Sequence, residues 1–317
     1  MPNQKVAVVG TGVIGNGWIA RMLSKGYDVI ATDPAEGAER RMREAVDHAW
    51  PYVSQLGVAD DASKERLFFV ESIEDAVKEA DYIQENVPER EDLKQAVLLE
   101  IDRHAKADAL IGSSTSGIMP SELQVNLRHP ERFVVAHPFH PVYILPLVEV
   151  VGGNKTTQEN IEKAQNFYES IGMSVLIVRN EIEGHIADRL LEAIWRESLH
   201  IVNEGIATTE EVDKAFTHGA GLRYAQYGPF LTFHLAGGEG GMRHMLKQFG
   251  PALKKPWTKL EAPELTDELY HNVVEGCEQQ SNGMTMSELD QNRNEFLVKL
   301  YDLVQEYWPQ ESQKTKV

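Results

Sequence analysis

A single cysteine, Cys277, serves the whole chain of 317 residues. It excludes an intramolecular disulfide and cannot by itself build a metal site. Its neighbours Glu275, Gly276 and Glu278 give it no nucleophile setting, so it reads as a packed structural residue. No apolar run approaches the roughly 18 to 20 residues that span a bilayer. Met1 to Lys5 runs directly into a strand pattern, without the layout of an export signal. A cytoplasmic protein without membrane attachment is the expectation. Positive charge is also scarce: 31 Lys and Arg stand against 49 Asp and Glu, a formal charge of −18. Such a field repels phosphate backbones, which argues against a nucleic-acid partner; it mildly favours a cationic ligand, with a well-solvated surface as the simpler reading.

What is present begins with alternation. Short β-branched runs lie at Lys5 to Val9, Tyr27 to Thr32, Leu67 to Val70, Asp81 to Gln84, Ala109 to Gly112, Phe133 to His137, Leu147 to Val151 and Ser174 to Val178. Between them, helical spacing fills Ile14 to Lys25, Ala35 to Leu56, Glu89 to His104 and Gln158 to Ile171. This order predicts an α/β fold, a parallel sheet with helices on both faces. From Ile186 the pattern turns helical, with Ile186 to Asn203, Glu210 to Phe216, Gly241 to Phe249, Glu264 to Glu278 and Ser287 to Glu306, and loops between. The expected domains are 1–182, a dinucleotide-binding unit of Rossmann type, and 183–317, an all-α unit.

Gly10-Thr11-Gly12-Val13-Ile14-Gly15 follows the first strand and opens the first helix. In that context the first glycine permits a tight turn, the second admits a pyrophosphate, and the third lets helix pack on strand. A structural glycine turn is the alternative, and Asp33 decides between them. It ends the second strand about 20 residues on, where a carboxylate accepts the adenosine ribose hydroxyls and repels an extra phosphate. NAD is therefore the expected cofactor. Glu89 and Lys94, at the head of the third helical stretch, complete the expected cofactor set.

Three later segments place polar residues at or near the carboxyl ends of strands, where ligands of such sheets gather. Ser113 to Gly117 (SSTSG) follows one strand, His137 ends the next, and Glu149 interrupts the apolar run LVEVV. A carboxylate in an apolar strand needs a partner, and histidine beside it makes a general base. A core histidine and a turn serine are the bland readings. His137 and His140 lack an obvious third ligand, so no metal is expected.

These segments, together with the glycine turn, resemble the 3-hydroxyacyl-CoA dehydrogenase family. The resemblance extends over essentially the whole chain, because Gly184-His185-Ile186-Ala187-Asp188-Arg189-Leu190-Leu191 is similar to the GFIxNRLL helix that opens the family's second domain. It implies that Ser116, His137 and Glu149 form the catalytic set, that a hydroxyl is oxidised with NAD, and that the helical domain forms a homodimer. Two departures stand out. Asp188 replaces the family's substrate-contacting asparagine, either to meet a cationic substrate or to pair with Arg189 or Arg196. His140 replaces the asparagine of HFFNP.

The segment Phe216 to Phe233 resembles the branch that acts on small 3-hydroxy acids, and it lacks the PMGPFEL-like sequence of enzymes acting on CoA thioesters. Arg223 is then either the partner of a substrate carboxylate or a surface residue. Phe139, Tyr143, Trp195 and Tyr224 are the candidate aromatic contacts, with Tyr227, Phe230 and Phe233 in the following loop region. A non-catalytic dinucleotide-binding relative is the rival from another class, and intact Ser116, His137 and Glu149 argue against it.

Overall fold

The computed structural model describes residues 5–225, 227–258, 266–289, 292, 299–300 and 303. Contacts divide the chain into two compact units, Met1–Leu190 and Leu191–Val317.

The first unit is built on eight strands: β1 (Lys5–Val9), β2 (Asp28–Thr32), β3 (Leu67–Phe69), β4 (Tyr82–Glu85), β5 (Leu110–Ser113), β6 (Phe133–Pro138), β7 (Leu147–Gly152) and β8 (Ser174–Val178). Their order in the sheet is β3-β2-β1-β4-β5-β6-β7-β8. The chain winds outward in one direction from β1 and in the other from β4, so the switch point lies between these two strands. Along β1 the side chains alternate between two cores, Val6 and Val8 on one face and Ala7 and Val9 on the other. The first face is covered by α1 (Val13–Ser24), α2 (Ala38–Gln55) and α6 (Gln158–Ser170) through Trp18, Met42 and Tyr168. The second is covered by α3 (Ile73–Val77), α4 (Glu91–His104) and α5 (Pro120–Leu123) through Val77, Leu98 and Leu123.

One pairing departs from the expected parallel sheet. β7 runs antiparallel to β6, with His137 opposite Glu149, while β8 returns parallel to β7. The cause is the connection: the few residues between Pro138 and Leu147 hold no crossover helix, and a parallel return needs a dozen or more residues.

The helix α7 (Ala187–Asn203) contains the boundary between the units. The second unit continues with α8 (Thr209–Ala215), a π turn at Phe216–Ala220, α9 (Gly221–Tyr224), α10 (Gly228–Ala236), α11 (Gly241–Phe249) and α12 (Asp267–Gln280). Phe230 and Phe233, expected in a loop, lie on α10, where Pro229 sits in the first turn and needs no amide partner. The helix expected over Ser287 to Glu306 falls largely outside the described residues. Cys277 is buried against Met242 and Val274, and burial pushes its thiol up.

Candidate active site

At the switch point, β1 delivers Gly10 against the chain leaving β4. Gly10 has φ +92°, and a Cβ there would stand 2.8 Å from the backbone carbon of Asn86. A Cβ on Gly15 would stand 2.0 Å from the Gly10 carbonyl oxygen, so the turn must be glycine at both ends. Gly12 differs: nothing lies within 4 Å of the Cβ it lacks. It caps α1 without a side-chain acceptor, and the first turn of that helix holds no acidic residue. Its amides and dipole are thus free for an anion in open space.

Asp33 stands across this opening. One carboxylate oxygen accepts from the Thr11 amide at 2.8 Å and the Thr11 hydroxyl at 3.1 Å, and the other accepts from the Ala35 amide at 2.9 Å. The carboxylate is fixed yet keeps acceptor capacity for diol hydroxyls. Gly10, Gly12, Val13, Ile14 and Asp33 line one cavity of about 980 Å³ with Glu89, Lys94 and Ser116. Open amides at one station and a held carboxylate at the next fit the pyrophosphate and ribose of NAD.

Glu89 and Lys94 carry the far wall. One oxygen of Glu89 accepts from the Thr115 hydroxyl at 2.5 Å, the Ser116 amide at 3.0 Å and the Gly117 amide at 3.1 Å. Burial raises the Glu89 carboxyl, but these bonds and the Lys94 charge outweigh it and leave the group below its ordinary value. Lys94 is buried, with its ammonium 2.9 Å from Glu85 Oε1 and 2.9 Å from the Val87 carbonyl oxygen. It stiffens the wall, and Glu89 fastens the turn that presents Ser116.

The second cluster lies at the carboxyl end of β6. The antiparallel register brings His137 Nδ1 to 3.1 Å from Glu149 Oε2, with both side chains buried. The other oxygen of Glu149 accepts the amides of Ile186 at 2.9 Å and Ala187 at 3.0 Å. Those amides are aimed by the turn before α7, where Gly184 (φ 69°) and His185 (φ 47°) both adopt left-handed backbone. Burial pushes the Glu149 carboxyl up, but the bonds from His137, Ala187 and Ile186 win and hold it below its ordinary value. An ionised carboxylate only accepts, so Nδ1 donates to Glu149, and Nε2 is the ring nitrogen outside that bond.

Two further side chains close on that ring. The Asp188 carboxylate stands 3.6 Å from His137 Nε2, within ion-pair range and beyond a hydrogen bond. Arg196, on the second unit, makes an ion pair with Glu192 at 2.9 Å. His185, buried, packs its ring 5.3 Å from that of His137 and places Nε2 3.4 Å from the Thr115 carbonyl oxygen. That contact joins the His137 cluster to the SSTSG turn.

Phe139 lies edge-on to His137 with ring centroids 5.3 Å apart. Tyr143 is set 6.4 Å from the ring of Tyr52 on α2 instead. His140 is exposed. Trp195, Arg223 and Tyr224 belong to the second unit, on α7 and α9. Sequence reasoning missed Asn86, Ser114 and His185. Ser114 accepts from Trp18 Nε1 at 3.0 Å and Gln84 Nε2 at 2.8 Å and donates to Asn86 at 2.7 Å, tying α1, β4 and β5 beneath the cavity. His185 was visible as the departure from phenylalanine in the GFIxNRLL pattern.

With this geometry in view, comparison with known proteins gives a consistent result. The profile of the 3-hydroxyacyl-CoA dehydrogenase NAD binding domain matches residues 5–182, and that of the family's C-terminal domain matches residues 184–276. A protein of Staphylococcus epidermidis named L-carnitine dehydrogenase is 72% identical over 312 residues, covering 98% of this chain and 97% of its own. A Pseudomonas putida protein of the same name is 54% identical over 298 residues, covering 94% and 93%. Among solved structures, an NAD-dependent 5-formyl-3-hydroxy-2-methylpyridine 4-carboxylic acid 5-dehydrogenase superposes with a TM-score of 0.75 at 26% identity, covering 98% of this chain and 100% of that one.

Proposed function

This chain belongs to the 3-hydroxyacyl-CoA dehydrogenase family and is an NAD-dependent dehydrogenase, and from that premise we propose that it oxidises the 3-hydroxyl of L-carnitine to 3-dehydrocarnitine. The chemistry rests above all on one observation, the buried His137 ring held at Nδ1 by Glu149 with Nε2 outside that bond. The substrate rests on likeness to full-length relatives of that name and on the small-substrate character of Leu222 to Ala225.

In this reading His137 Nε2 takes the hydroxyl proton as the carbon–oxygen double bond forms. Glu149 fixes the ring and stabilises the imidazolium, and the amides of Ile186 and Ala187 keep that carboxylate ionised while it does so. Ser116, on the turn fastened by Glu89, positions the hydroxyl. NAD, when bound, accepts the hydride from the carbinol carbon. Gly10 to Gly15 hold its pyrophosphate and Asp33 its adenosine ribose. Phe139, Tyr143, Trp195, Arg223 and Tyr224 are assigned to the substrate. The expected domains, 1–182 for cofactor and 183–317 for substrate and subunit contact, are kept as part of the proposal.

The working form is proposed to be a homodimer. In its support, none of the 17 residues of α7 is buried, although Leu190, Leu191, Ile194, Trp195 and Leu199 are apolar. Light scattering on the purified protein tests the stoichiometry.

The substrate is tested by NADH formation at alkaline pH with L-carnitine, D-carnitine, L-gulonate and 3-hydroxybutyrate. Turnover confined to L-carnitine is expected. Turnover on L-gulonate or 3-hydroxybutyrate, with none on L-carnitine, overturns the substrate and keeps the dehydrogenase.

A further inference from the structure

The charges around His137 do not balance. Glu149 spends one oxygen on two backbone amides and the other on His137 Nδ1. His185, the other titratable ring against His137, is buried, and burial first and the neighbouring His137 second press it toward its neutral form. Asp188 remains. Its side chain keeps 31% of its surface open and stands on the nitrogen face where a hydroxyl must bind. Among the described residues, the ion pair it makes is with His137 alone, a ring it shares with Glu149. Two carboxylates thus face one imidazole, and the one on its substrate side stands in the first turn of α7, where the helix dipole favours negative charge.

Carnitine supplies the complement at the matching place. Its quaternary nitrogen is two bonds from the carbinol carbon, so a hydroxyl on His137 Nε2 brings the cation within a few ångströms of Nε2. The Asp188 carboxylate already lies 3.6 Å from that atom. The methyl groups cannot donate a conventional hydrogen bond, which makes a bare charge a fitting partner and an asparagine a poor one. We propose that Asp188 is the anionic subsite for a cationic group on the carbon next to the reacting carbinol, and thereby a specificity-determining residue of the enzyme. A substrate without that cation leaves a carboxylate facing the reaction centre with no counterion. The enzyme then rejects neutral 3-hydroxy acids by the same group that admits the cation. This inference rests on the reading of carnitine as substrate.

The test compares L-carnitine with its neutral isostere of matching configuration, 3-hydroxy-5,5-dimethylhexanoate, in which carbon replaces the quaternary nitrogen. Both use the same base, so any effect of Asp188 on His137 itself cancels in the ratio of kcat/KM values. Asp188→Asn is expected to lower the preference for the cation by at least about 10-fold, chiefly through the KM for carnitine. Asp188→Glu, which keeps the charge, is expected to retain most of the preference. NADH binding followed by fluorescence verifies that each variant is folded. An unchanged ratio in Asp188→Asn, in an enzyme whose wild type oxidises carnitine, overturns the role of Asp188 and leaves the substrate standing. A wild type that does not oxidise carnitine overturns the substrate, and this inference with it.

Discussion

Glu149 faces His137 across the antiparallel pairing of β6 with β7, Oε2 to Nδ1 at 3.1 Å. The short return after Pro138 forces that pairing, so the catalytic register follows from a connection too short to cross over. The Glu149→Gln variant is expected to lower kcat by about 10² or more while leaving the KM for NAD close to wild type, since the amide cannot stabilise an imidazolium. His137→Ala should cost at least as much. Normal turnover in the Glu149→Gln variant would remove Glu149 from the mechanism.

The same carboxylate sets a pH dependence of stability. Its value lies below the ordinary 4.5, because His137 and two amides outweigh burial. The unfolded chain therefore binds the proton more readily, and ionised Glu149 contributes stability above the unfolded value that is lost as pH falls through the folded one. The gap in urea midpoint between wild type and Glu149→Gln should be widest near neutrality and close below the carboxylate range. A gap that widens on acidification contradicts the assignment.

Two glycines of one motif should fail in different ways. Gly10→Ala puts a methyl 2.8 Å from the Asn86 backbone at φ +92°, and is expected to cost at least about 2 kcal/mol of stability. Gly12→Ala meets nothing within 4 Å and should fold normally. It should instead raise the KM for NAD by at least about 10-fold, because the methyl enters the space reserved for pyrophosphate. Thermal melts and NAD titrations on both variants separate the two effects.

Asp33 carries the choice of cofactor. Its carboxylate, pinned by Thr11 and Ala35, repels a phosphate on the adenosine ribose. Asp33→Ser is expected to raise the KM for NAD and to narrow the NAD over NADP preference by about 10-fold or more. An unchanged preference places the discrimination elsewhere.

How much of this was legible depends on the range over which each feature is determined. The glycine turn and Asp33 are local, fixed by a strand end and a helix start, and they fell where spacing put them. The strands were readable because buried β-branched runs leave few alternatives. The direction of β7 was not, since alternation says nothing of which way a strand enters the sheet. His185 was visible as a departure from the helix pattern, but its packing against His137 was not, as that depends on a left-handed turn at residues 184 and 185. In the second unit, glycines and aromatics around residues 216–233 suggested a loop, whereas Phe216–Ala220 forms a π turn and Gly221–Tyr224 and Gly228–Ala236 form α9 and α10.

Lys94 is where motif and geometry assign different work to one residue. Its position suggests a cofactor contact, and it does line the cavity. Its ammonium, however, is buried on Glu85, whose side chain is fully enclosed and also accepts from Ser113 and the Val87 amide. Removing Lys94 alone strands that carboxylate, so Lys94→Met is expected to cost about 3–5 kcal/mol of stability. The double variant Glu85→Gln/Lys94→Met should regain most of it. Burial already raises the Glu85 carboxyl despite Lys94 and Ser113. A carboxyl raised in the folded state takes up its proton there first, so the deficit of Lys94→Met should shrink as pH falls. Urea midpoints across pH, with NAD affinity measured alongside, decide the matter. A stable Lys94→Met enzyme that has lost NAD makes the ammonium a cofactor ligand, whereas an unstable one that still binds NAD when folded makes it the strut behind the Glu89 turn.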